Sequence, residues 1–113
     1  MALAAIIWPV AGKSSDANVR ITKIEYDEEG DRIGVCVALT PKGQSECESV
    51  DFKITPFGRL LKLLGGGVKY GTIRSETITR VYFYCDKNEG GKGWLRQCNL
   101  CDFMIEATNC VKR

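Results

Sequence analysis

Histidine is absent from the 113-residue chain. Its absence removes Ser-His-Asp and Cys-His activation of a nucleophile, imidazole general-base chemistry and every His-containing metal site. Catalysis would have to rest on carboxylates, lysine or a thiolate, and the expectation is a protein that is not an enzyme and carries no cofactor or bound metal. A large excess of either charge is missing as well. Sixteen Lys and Arg stand against fourteen Asp and Glu, a net +2, so no strong field favours nucleic acid or an anionic membrane. No apolar run reaches the ~18 residues of a membrane-crossing helix, and no Asn-x-Ser/Thr sequon occurs.

What is present fits one domain over residues 1–113, because two would each fall near the lower size limit for an independent core. Apolar residues make up 44% and charged residues 27%, both ordinary for a globular protein. The six cysteines are Cys36, Cys47, Cys85, Cys98, Cys101 and Cys110. An even count suits three bridges in an oxidising compartment, and fifteen connectivities are open. Cys36 and Cys85, each expected in a central strand, are the preferred core bridge.

Strand follows strand along the chain. Residues 19–26 (VRITKIEY) change apolar parity midway, which predicts a bulge near Thr22-Lys23. The acidic turn 27–32 (DEEGDR) leads into 33–40 (IGVCVALT), apolar on both parities as in a central strand, and the two strands read as a hairpin. Pro41-Lys42-Gly43 breaks the chain, after which Val50, Phe52 and Ile54 alternate onto one face. Residues 57–64 (FGRLLKLL) carry leucines at helical spacing and end at Gly65-Gly66-Gly67, the one expected helix. Residues 68–73, 78–85, 94–98 and 103–108 read as further strands, with 78–85 (ITRVYFYC) aromatic and expected to be central. Residues 1–10 (MALAAIIWPV) lack the basic start of a secretory signal and are read as an edge strand. The expected fold is all-β: a β-sandwich or barrel of seven to eight short antiparallel strands, with one short helix.

Several motifs suggest chemistry that their details do not support. Gly12-Lys13-Ser14 looks like the end of a P-loop, but Ile7 stands where the cradle needs glycine. Asp27, Glu28, Glu29 and Asp31 cluster as calcium ligands do, yet Arg32 occupies the position of the EF-hand glycine. Cys85, Cys98, Cys101 and Cys110, spaced C-x12-C-x2-C-x8-C, form a four-thiolate set that would suit zinc inside a cell. The second half of a zinc ribbon is missing from it, and structural disulfides are the preferred reading. Residues 57–70 form a basic amphipathic stretch able to touch lipid, although leucines at this spacing more commonly cover a core.

Residues 82–92 (YFYCDKNEGGK) resemble the opening of a βγ-crystallin Greek-key motif, which implies a small all-β protein. The resemblance departs at Glu89, where that family has an aromatic, and residues 19–60 hold no second copy. No family is assigned from it. Asp86, Lys87, Asn88, Glu89, Lys92 and Trp94 remain the candidate binding loop, since recognition sits on loops at the ends of rigid sheets.

The expectation that results is a small secreted, disulfide-stabilised protein that binds a protein partner or receptor, as a toxin, effector, inhibitor or recognition module. A structural subunit of an extracellular assembly, joined through residues 1–12, is the first alternative. The intracellular zinc module is the second.

Overall fold

A computed structural model of the chain describes residues 14–27, 29, 32–57, 67–84 and 103–113. Six strands and one helix lie among them: β1 (Val19–Asp27), β2 (Arg32–Leu39), α1 (Pro41–Glu46), β3 (Cys47–Pro56), β4 (Lys69–Arg74), β5 (Ile78–Tyr84) and β6 (Phe103–Lys112). They form two antiparallel three-stranded sheets, ordered β1-β2-β5 and β4-β3-β6. The all-β class is as the alternation indicates. The described strands number six rather than seven or eight, and the described residues close no barrel. The other two expected strands (1–10 and 94–98), like most of the expected helix at 57–64, lie outside the described residues.

Alternation explains how the sheets meet. On β2 the odd positions Ile33, Val35, Val37 and Leu39 are buried, and on β3 so are Val50, Phe52 and Ile54. With Val19, Ile21, Phe83, Ile73, Phe103 and Ile105 they make one cluster shared by both sheets. β4 lies against β5 and β1 against β6, so each sheet covers the apolar face of the other. Burying a large side chain of this kind contributes about 1.5–3 kcal/mol, and this shared face is what holds the domain together.

The anticipated bulge is present: the β1–β2 register slips between Ile21 and Lys23. The Thr22 hydroxyl donates to the Cys36 carbonyl at 3.3 Å across the slip. Because of that extra residue, Ile24 and Tyr26 pack inward after Val19 and Ile21 have done the same. Lys23, Glu25 and Asp27 are thereby turned outward.

One expectation needs correction. Pro41-Lys42-Gly43 does not interrupt the chain but starts α1, which carries it from the first sheet to the second. Thr40 is the N-cap, its hydroxyl accepting the Gly43 N–H at 3.0 Å, and Pro41 fills the first helical turn, where a missing N–H costs nothing. Gly43 is needed there because a Cβ would run into the Asn18 carbonyl. Among the described residues β5 pairs only with β2, and its Tyr82 and Tyr84 lie on the outer face beside Gly34 and Arg32.

Candidate recognition face

Cross-strand register sets the outer face of β1-β2-β5 row by row. Lys23 lies beside Cys36 and Arg80, Glu25 beside Gly34 and Tyr82, and Asp27 beside Arg32 and Tyr84. The next row out holds Arg20, Ala38 and Ile78. Small residues along the middle strand leave room for the long side chains of both edges to meet over it. Gly34 is the narrowest point, where an added Cβ would come 2.7 Å from Arg80 Cδ and 3.3 Å from Tyr82 Cε1.

Arg32 organises one half of this face. Its guanidinium carbon stands 3.8 Å from the centroid of Tyr82, its Nε donates to Asp27 Oδ2 at 2.6 Å, and its Nη1 donates to the Tyr84 hydroxyl at 3.1 Å. The Tyr84 hydroxyl and then the Asp27 carboxylate hold the Arg32 guanidinium still more firmly protonated than usual. Glu25 organises the other half. Its carboxylate takes Lys23 Nζ at 3.0 Å and Arg80 Nη2 at 2.8 Å, and the Cys36 thiol donates to it at 3.6 Å. The Lys23 ammonium first, then the charge of Arg80, lowers the Glu25 carboxyl below its ordinary 4.5 despite the cost of partial desolvation. Arg80 is raised in turn, by the Cys36 sulfur first, then Tyr82 and Glu25.

Each of these contacts is small alone. Exposed ion pairs are worth about 0–1 kcal/mol and an exposed cation–π contact about 0.5–1 kcal/mol. Their joint effect is orientation: two tyrosines and two arginines are held in fixed rotamers beside an open groove of about 340 Å³, lined by Glu25, Tyr26, Asp27, Gly34, Arg80 and Tyr82. Side chains ordered in advance lose less freedom on meeting a partner.

The cysteines fall out differently from the expected pairing. Cys47 and Cys110 are joined as a disulfide, with Cα atoms 5.5 Å apart and a sequence separation of 63. They lie on β3 and β6 as diagonal neighbours, because Cys47 pairs in register with Lys112. Cys36 is a free, buried thiol, and the preferred Cys36–Cys85 bridge is not formed. The reason is its place on the outward parity of β2, opposite Arg80 and beneath the Glu25 carboxylate. Cys110, once bonded to Cys47, is no longer a thiolate for a four-cysteine zinc set. Among the described residues no group of three or more Cys, Asp or Glu is placed to hold a metal ion.

Cys85, Cys98 and Cys101, the loop candidates Asp86, Lys87, Asn88, Glu89, Lys92 and Trp94, and residues 1–12 lie outside the described residues. So do residues 58–66 of the basic stretch. Arg32, Arg80, Tyr82, Tyr84 and Glu25 were not singled out from the sequence, although a signal was present. Positions 80, 82 and 84 share one face of any strand, as do 32, 34 and 36. Comparison with protein-family models, with curated proteins and with solved structures returns no match.

Proposed function

We propose that the chain is a small disulfide-braced β-sandwich of an extracellular, oxidising setting that acts by binding another protein, through the outer face of β1-β2-β5. The observation that carries this reading is the Arg32 clamp. A guanidinium fixed between Asp27, Tyr82 and Tyr84 is an anchor prepared for a partner, and Arg and Tyr dominate the energetics of protein interfaces. Four basic side chains on this face (Arg20, Lys23, Arg32, Arg80) stand against two carboxylates (Glu25, Asp27), which favours a partner surface bearing carboxylates. The Cys47–Cys110 pairing supports the oxidising setting, since such bridges persist outside the reducing cytosol.

The test is differential capture from the medium bathing the source cells, using the wild-type chain and an Arg32→Ala/Tyr84→Ala variant of unchanged melting temperature. A protein retained by the wild type and weakened about tenfold or more by the variant supports the face. Equal retention refutes it. Intact mass of the protein as isolated checks the setting: a mass equal to the fully reduced chain would count against secretion.

A second reading, a subunit assembled through residues 1–12, is favoured by one observation. The Ser14 carbonyl accepts the Ile21 N–H at 2.7 Å and Ser15 is bridged antiparallel to Arg20, so the chain meets β1 along its outer edge. Deleting residues 1–12 then abolishes assembly, and a truncated chain that still assembles removes this reading.

A further inference from the structure

Charge is not spread evenly over the outer face of β1-β2-β5. The row at Arg32 holds Asp27 and Tyr84 beside it, and the row at Gly34 holds Glu25 and Tyr82. That half carries one cation and two carboxylates. The row at Cys36 brings Lys23 and Arg80, and the row at Ala38 brings Arg20 and Ile78. This other half carries cations alone. Ser15, bridged to Arg20, extends the last row with a neutral side chain.

Glu25 reaches across the boundary and takes both Lys23 Nζ at 3.0 Å and Arg80 Nη2 at 2.8 Å. One carboxylate cannot balance two cations, and Arg20 has no carboxylate beside it in its own row. The positive surplus of the face therefore stands at one end. Residues on one face of a strand repeat about every 6.6–6.8 Å, within the Debye length of about 8–10 Å at ordinary salt. The fields of Arg20, Lys23 and Arg80 thus reinforce one another. All three can be reached: Arg20 is exposed, and the Lys23 and Arg80 side chains are 62% and 46% exposed.

The rest of the face decides which anion suits this patch. A uniformly charged chain such as a sulfated polysaccharide would run from the patch onto Asp27 and be repelled there. It also offers nothing to Ile78, 69% exposed beside Arg20, or to the two tyrosines. A protein segment with carboxylates at one end and apolar or aromatic side chains further along is complementary to both halves.

We propose that Arg20, Lys23 and Arg80 form the subsite for an acidic segment of the protein partner, whose carboxylates lie over this end and leave Tyr82 and Tyr84 to its apolar side chains. The assignment rests on the reading of this face as a protein-binding surface and adds the order of charge along the partner.

A hexaglutamate peptide with blocked ends, titrated into the isotope-labelled full chain and followed by NMR, tests it. The expected result is a set of amide shifts centred on Arg20, Lys23 and Arg80 that fades as salt is raised, with none from a blocked hexaglutamine peptide. Arg20→Gln with Lys23→Gln weakens the peptide about fivefold or more. Lys53→Gln, on the other sheet, and Tyr84→Ala each leave its affinity within about twofold of wild type. Shifts centred elsewhere, or an affinity that the Arg20/Lys23 variant does not change, overturn the proposal. A heparin hexasaccharide that shifts the patch while hexaglutamate does not overturns it in favour of a sulfated polysaccharide. Hexaglutamate bypasses the Arg32 clamp, so its failure to bind removes this subsite and leaves the capture result for Arg32→Ala/Tyr84→Ala standing.

Discussion

The Cys47–Cys110 disulfide offers the sharpest test of how this small domain is held together. The bond spans 63 positions, and on the chain-entropy account a loop of that size withholds about 4 kcal/mol of freedom from the unfolded chain. Net stabilities of single domains run about 5–15 kcal/mol, so the bond supplies a large share. Losing the buried Cys47 sulfur adds about 1 kcal/mol of burial to the cost. Urea unfolding followed by circular dichroism, on the oxidised protein and on Cys47→Ala, Cys110→Ala and the double variant, separates the two contributions. Either single substitution breaks the bond, so Cys110→Ala costs about 4 kcal/mol, Cys47→Ala about 5 kcal/mol, and the double scarcely more than Cys47→Ala. Two single costs near 1 kcal/mol that simply add in the double variant would refute the reasoning, because packing alone behaves that way.

Four further outcomes follow from the geometry. Phe52 is fully buried beneath Gly71: Phe52→Ala lowers the unfolding free energy by about 3–5 kcal/mol. Gly71→Ala lowers it by about 1–3 kcal/mol, because its Cβ would stand 2.6 Å from Phe52 Cζ in a core with no slack; thermal or urea unfolding reads both. The Glu25 carboxyl is lowered in the folded state, so its stabilisation is present above the ordinary 4.5 and is lost as pH falls through the lower folded value. The melting temperatures of wild type and Glu25→Gln therefore differ at neutral pH and converge in acid; a constant gap at all pH values contradicts the assignment. Cys36, buried and unbridged, is alkylated after unfolding without reductant and is protected in the folded protein, which peptide mapping reports directly.

Alternation and parity were legible in the sequence. They located the β1–β2 hairpin, the slip at Thr22-Lys23 and the buried series Val50, Phe52, Ile54, because side-chain period and local turns depend on neighbouring residues alone. The α1 start was legible too, in Thr40 followed by Pro41, but proline reads equally as a breaker when the N-cap is not recognised. Tertiary pairing decided the rest. Whether ITRVYFY sits inside a sheet or at its edge depends on what lies beside it, and a tyrosine that faces water satisfies the same propensity as one in a core. Nothing local chooses Cys110 for Cys47 across 63 positions; the β3–β6 register does, by bringing their Cα atoms to 5.5 Å. The same register logic set Arg32 against Tyr84 from 52 positions away. The sequence by itself determined which face of each strand is apolar, and only the pairing of the strands and the stacking of one sheet on the other decided which side chains stand together on the outer face.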